Sequence, residues 1–303
     1  VTVNGSVLTL ASESFGWLIK TAADTWQFVT LGSAGGGGGG SDWPESIAGA
    51  TYDGVSFSVA AQDTFPQSVA FNDTGSKMYV IGYSSDAVYQ YTLSTPWDLS
   101  TAAYDSVSFS VAAQDGNSRG VAFNDTGSKM YVIGYATDTV YQYTLSTPWD
   151  LSTAAYGSVS LNVTARDTNP QGVAFNDTGS KMYVIGYATD AVYQYTLSTP
   201  WDLSTAAYDS VSFSVAAQDG NSHGVAFNDT GSKMYVVGDS NNAVYQYTLS
   251  TPWDLSTAAY GSVSLNVTAQ DTAPRGVAFN DTGSKMYVIG YATDAVYQYT
   301  TEP

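Results

Sequence analysis

Apolar and polar positions along this chain fall into a block that returns at a fixed step. Aligned on "FNDTGSKMYV", the blocks place their first residue at Phe71, Phe123, Phe175, Phe227 and Phe279, 52 residues apart each time and without insertion. Within one block, Val121 to Asn124 is a short apolar run closed by "NDTG" (124–127), a polar turn sequence ending in glycine. "KMYVIGY" (129–135) and "TVYQYTL" (139–145) follow, separated by "ATD" (136–138), and carry large side chains at successive positions. A strand packed between two neighbours needs such two-sided apolar character. "STPWDLSTAAY" then leads to "SVSLNV" (158–163), where Val159, Leu161 and Val163 alternate with Ser158, Ser160 and Asn162. That alternation suits an outer strand with one face in water. No window shows the 3.6-residue apolar period of an amphipathic helix.

The pattern predicts an all-β fold, a five-bladed β-propeller of 52-residue, four-stranded blades. A flat sandwich is the rival, and the invariant step argues against it. The fifth block stops after its third strand, at "AVYQYTTEP" (295–303), while a fourth-strand sequence, "GVSFSVAA" (54–61), precedes the first block. The N-terminal strand is therefore expected to complete the last blade and leave no open edge. "SDWPESIAGATY" (41–52) parallels the connector, so Trp43 should stand in for the connector tryptophan that the last block lacks. Blocks two and four share "VSFSVAAQDGNS" and blocks three and five share "VSLNVTA", which reads as one blade plus a duplicated two-blade unit.

Composition narrows the function. A formal charge of −18, with only 9 Lys and Arg, excludes nucleic acid as an expected partner, because phosphate binding needs clustered cations. No window reaches the roughly 18 apolar residues of a membrane-spanning helix, so no membrane insertion is expected. Cysteine is absent, which removes disulfides, thiolate nucleophiles and Cys-based zinc sites. The chain starts at Val1 without Met and without a signal-peptide pattern, which leaves an excised initiator or a longer natural protein as the two expectations.

Two resemblances add to this. "VAFNDTGSKMYV" resembles the "AFSPDGSKLYV" pattern of YVTN and NHL-like propellers over about residues 43–303, which implies the fold and says little about activity, since those residues build a turn and a packed strand. "VTVNG" (1–5), "LIKTAADTW" (18–26) and the stretch ending Leu31-Gly32 resemble a β-rich segment of tailed-phage fibre and other virion proteins. With "SAGGGGGGS" (33–41), a flexible spacer, the expected layout is a β-rich anchoring segment at 1–32, a Gly-rich linker at 33–41 and the propeller at 42–303. The second resemblance implies a virion-surface location, made in the host cytoplasm, with other virion proteins as partners of the N-terminal segment. Homo-oligomerisation stays open.

The candidate chemistry is sparse. His223 is the one histidine. Asp63, Asp115, Asp167, Asp219 and Asp271 recur before the innermost strands, and Asp86, Asp138, Asp190, Asn242 and Asp294 recur in the hairpin turns. Acids repeated in every blade read as loop hydrogen-bonders, with a calcium site as the alternative. "NDT" and "NVT" match the glycosylation sequon, but the first is equally an ordinary turn. Trp97, Trp149, Trp201 and Trp253 are read as packing plugs between blades, with aromatic ligand contacts as the alternative. The blocks differ most at Gln67, Arg119, Gln171, His223 and Arg275, which should surround one mouth of the central channel, either as solvated variable loops or as a tuned ligand surface. Cationic residues there would attract an anion such as a carboxylate-bearing glycan. The expectation is a non-enzymatic phage fibre or appendage protein that attaches to host-surface glycans without catalytic residues, cofactor or metal. The alternatives are a structural capsid or tail decoration protein and a propeller enzyme, a lactonase or glycan lyase.

Overall fold

The computed structural model describes residues 43–44 and 46–301 in full, and the backbone of four short strands nearer the N-terminus. The chain divides into two units, Val1–Ser41 and Asp42–Pro303. In the first, Thr2–Val3 pairs with Ser6–Val7, and Gly16–Ala22 pairs antiparallel with Thr25–Thr30. The expected virion-like segment is thus hairpin-forming where it is described. The expected linker at 33–41 lies outside the described residues.

The second unit is a ring of five four-stranded antiparallel sheets. Blade 2 shows the plan. Ser118–Phe123 is innermost, Lys129–Gly134 and Thr139–Leu145 follow, and Ala154–Asn162 is outermost. The ring closes as the orphan strand predicts, with Thr51–Ser58 pairing Ala295–Thr300 as the outer strand of blade 5. The predicted outer strand, 158–163, is corrected at both ends. It begins at Ala154, because Ser158 adopts φ 57° and makes a bulge that lets Tyr156 pair with Tyr143 and Val159 with Gln142. Val163 leaves the strand and is buried, its amide donating to the Asp138 carbonyl at 2.8 Å.

Burial follows the sequence pattern. Met130, Tyr131, Val132 and Ile133 are all buried, because each second strand is covered on both faces by adjacent blades. Each blade is also stitched to the next by polar bonds. Tyr79, Tyr131 and Tyr183 donate to the carbonyls of Trp149, Trp201 and Trp253, and Tyr287 donates to that of Trp97. The buried Gln90, Gln142, Gln194, Gln246 and Gln298 accept from the amides of Leu151, Leu203, Leu255, Ile47 and Leu99. All five seams carry this second bond, including the one across the closure.

The two-blade duplication has a physical correlate. Lys77, Lys181 and Lys285 pair with Asp105, Asp209 and Asp53 on the outer strands. Gly157 and Gly261 stand at that position in blades 2 and 4, where Lys129 instead donates to the Trp201 carbonyl and Lys233 to that of Pro44.

Candidate functional site

Each innermost strand runs from one mouth of the channel to the other. In blade 1 it spans Pro66–Phe71. At about 3.3 Å per residue, Gln67 and Phe71 are about 13 Å apart along it. The two mouths therefore receive different residues.

The first mouth holds the variable set. Gln67, Arg119, Gln171, His223 and Arg275 occupy the second position of the five innermost strands, inside the strands rather than in the loops before them. They also bond to one another. Arg119 Nη1 donates to Gln67 Oε1 at 3.0 Å, His223 Nδ1 lies 3.4 Å from Gln171 Oε1, and Arg275 Nη1 contacts His223 Nε2. Four of the five, with inner-strand valines, enclose a polar cavity of about 50 Å³. Burial pushes the His223 pKa down, so the imidazole is neutral near pH 7. The neutral ring carries one proton; placed on Nδ1 it faces Gln171 Oε1 and leaves Nε2 to accept from Arg275.

Around this set stand aromatic residues that sequence reasoning missed. Tyr83, Tyr135 and Tyr187 are among the exposed large side chains, with Phe65 beside Tyr83 and stacked on Tyr291. The Arg119 guanidinium lies 4.9 Å from the Tyr83 ring centre and 5.6 Å from that of Tyr135, and Arg275 lies 5.1 Å from Tyr291. Tyr187 sits 5.5 Å from His223. The fifth position of this aromatic ring is Asp239, in "VVGDSNN" where the other blocks read "VIGY". It pairs with Arg275 at 2.8 Å and lies 3.3 Å from His223 Nε2. That replacement of the tyrosine by Asp239 was the available signal.

The charges at this mouth are unevenly matched. Asp239 compensates Arg275, while Arg119 has no carboxylate partner among the described residues. Burial lowers the Arg119 pKa and the nearby Arg275 charge adds to the effect, yet a guanidinium remains charged. Arg119 Nε, Arg275 Nε, Asp239 Oδ1 and Asn117 Oδ1 are buried without a hydrogen-bond partner. Orphaned polar atoms of this kind cost free energy, about 1–3 kcal/mol each, unless water or ligand satisfies them.

The repeated acids build loops, as their recurrence suggests. Asp63 accepts from the Phe65 amide at 2.7 Å and from the Ser85 amide and hydroxyl at 2.9 and 2.6 Å. Gly82 opposite is obligatory, since a Cβ there would lie 2.0 Å from the Asp63 carboxyl carbon. In the second set, Asp86 and Asp190 accept from the amide and hydroxyl of Ser118 and Ser222 in the next blade. Pro170 and Pro66 occupy the equivalent place beside Asp138 and Asp294, offer neither donor, and leave Oδ1 of both acids orphaned. Burial raises the pKa of both.

Asn242 shows the remedy, since with its amide nitrogen turned toward them it can donate to the Thr272 and Asp239 carbonyls, 2.8 and 3.2 Å away. Asp138→Asn should therefore stabilise the protein by about 1 kcal/mol near neutral pH. A raised pKa means the wild-type penalty is absent below the unfolded-state value near 3.9 and grows as pH rises through the folded value. The gain should thus disappear in acid, which thermal melts at pH 7 and pH 3.5 would check.

The second mouth is symmetric. Its cavity of about 380 Å³ is lined by Trp43, Trp97, Trp149, Trp201 and Trp253, by the five block-opening phenylalanines, and by the Asn-Asp pairs of the "NDTG" turns. Each connector tryptophan packs on the turn glycine and between aromatic neighbours. Trp97 lies 5.4 Å from Phe71 and 6.3 Å from Tyr287 of the preceding blade, and Trp43 fills the fifth place beside Phe279 and Tyr235. The tryptophans thus pack between blades and also line this cavity, at the opposite end of the channel from Arg119.

No family model matches the sequence, and no functionally curated protein matches it. Among solved structures, a protein of Bacteroides uniformis provisionally named a 6-phosphogluconolactonase is 13% identical with a TM-score of 0.50, covering 77% of this chain and 66% of that one. A similarly named protein of Bacteroides fragilis is 13% identical, with 77% and 65% covered and a TM-score of 0.49. A Lactobacillus plantarum protein is 16% identical, with 78% and 67% covered and a TM-score of 0.49. This chain thus spans just under two thirds of the length of the two Bacteroides proteins. The likeness is one of fold alone.

Proposed function

We propose that the chain is a non-enzymatic binding head, part of a phage fibre or similar virion appendage, whose Arg119 mouth engages a carboxylate-bearing host-surface glycan. The observation that supports it most is Arg119 itself, a half-buried guanidinium without a carboxylate, set between two exposed tyrosines and beside buried atoms that lack partners. A planar guanidinium binds a carboxylate through two parallel hydrogen bonds, and flanking aromatic rings accept the apolar face of a sugar. The appendage part rests on the resemblance of residues 1–32 to virion segments. The non-enzymatic part is supported by His223, whose two ring nitrogens already face Gln171 and Arg275.

Charge-assisted bonds contribute about 1.5–3 kcal/mol each. Arg119→Ala should therefore weaken binding to an acidic envelope polysaccharide about tenfold or more. Arg119→Lys, which keeps the charge and loses the fork, should restore only part of it. Arg119 forms no ion pair among the described residues, so its removal strands no carboxylate there. Binding unaffected by Arg119→Ala, or turnover of a glycan abolished by His223→Ala, would overturn the proposal.

A further inference from the structure

The second mouth has the makings of a separate site. Its wall is aromatic, with one tryptophan and one phenylalanine from each blade around a cavity of about 380 Å³. Its rim carries Asp73, Asp125, Asp177, Asp229 and Asp281, all exposed and all without an ion pair among the described residues. The neighbouring asparagines are unavailable to a ligand. Asn124, for example, spends its amide on Thr126 and Ser128 and its carbonyl on the Lys129 amide.

Five-fold placement gives the cavity its electrostatic character. One aspartate per blade lines the cavity, so their negative potentials add there. Lys77 is held by Asp105 and Lys129 by the Trp201 carbonyl. The rim acids also sense one another. Burial raises the Asp229 pKa, and the Asp177 and Asp281 charges raise it further. A cation in the cavity would relieve that repulsion.

The spacing selects the kind of cation. Among the described residues no three acidic or histidine side chains come close enough to share a metal ion. A single compact ion therefore cannot satisfy the rim. Aromatic faces attract ammonium groups and cover alkyl carbon, which a hydrated metal ion lacks. We infer that this acid-rimmed aromatic cup binds a linear aliphatic polyamine, its ammonium groups reaching several rim carboxylates and its methylenes lying against the tryptophan and phenylalanine rings. This site stands on its own residues and does not depend on the Arg119 mouth.

Spermidine titrated into the full chain at low ionic strength, read by tryptophan fluorescence and by calorimetry, tests it. Saturable 1:1 binding is expected, weakening steeply with added salt. The triple variant Asp125→Asn, Asp177→Asn, Asp229→Asn should bind about tenfold or more weakly at a melting temperature no lower than that of the unsubstituted chain, because these residues are exposed, form no ion pairs among the described residues and repel one another. Arg119→Ala should leave spermidine binding intact, which separates this site from the glycan reading. Absence of saturation up to about 10 mM would overturn the inference. So would equal affinity in the triple variant, an identical response to magnesium at matched ionic strength, or saturation by a lysine-rich peptide where spermidine fails.

Discussion

A chain beginning at residue 60 should fail to form a stable ring, whereas one beginning at residue 42 should melt cooperatively. The segment removed supplies the outer strand of blade 5, Thr51–Ser58, and with it Trp43 and Ile47, both buried. Ile47 also donates its amide to Gln246 across the seam from blade 4. Deleting one large buried apolar side chain costs about 2–5 kcal/mol, and several are lost here together with a full strand ladder. That sum rivals the whole stability of an ordinary domain, about 5–15 kcal/mol. The uncovered edge of Ala295–Thr300 would then invite pairing between molecules. Circular dichroism melts and light scattering should show a non-cooperative, aggregating protein, and a peptide of residues 42–59 added in trans should restore the melt. A cooperative monomeric melt of the shorter chain would show that closure by this strand is dispensable.

Gly127→Ala should be among the most destabilising single substitutions in the ring. Gly127 has φ 66°, where an L side chain costs about 1–2 kcal/mol. A Cβ there would also lie 2.2 Å from a Trp149 ring carbon, far inside van der Waals contact with the indole. Trp149 cannot yield cheaply, since it packs against Tyr79 and Phe123 and its carbonyl receives the Tyr79 hydroxyl at 2.7 Å. Forced repacking adds about 1–3 kcal/mol, so a loss of about 3 kcal/mol and a fall in Tm of about 6–12 °C are expected. Gly261→Ala is the control, because nothing lies within 4 Å of its added Cβ and its φ is ordinary. Equal melting temperatures for the two variants would contradict the role assigned to the tryptophan plug.

Nearly all of the ring could be read from the chain, for a physical reason. A strictly repeated block must fold the same way each time, so strand order, the closing strand and the substitution of Trp43 all followed from alignment. The outer-strand boundary escaped because Ser158 supports a bulge, and a serine at positive φ has no distinctive signature in sequence. The mouth that carries the variable residues could be placed from the chain, but not furnished. Its variable residues contact partners about 52 residues away, as Arg119 meets Gln67 and Arg275 meets His223. Such contacts depend on which side chains turn into the channel, and alignment alone does not show that. Asp239 interrupts the tyrosine series in one block only and was legible, yet its meaning required Arg275 beside it. The acidic aromatic cup was hidden for the opposite reason. Its residues repeat perfectly, and perfect repetition looks like scaffold.

The proposal turns on recognition of a carboxylate at the Arg119 mouth. Calorimetric titration of the full chain with an acidic oligosaccharide, and with the same oligosaccharide methyl-esterified, tests that most directly. Binding of the free acid, loss of it on esterification, and its loss in Arg119→Ala at an unchanged melting temperature are the results predicted. Equal affinity for acid and ester, or acid binding that survives Arg119→Ala, would contradict it.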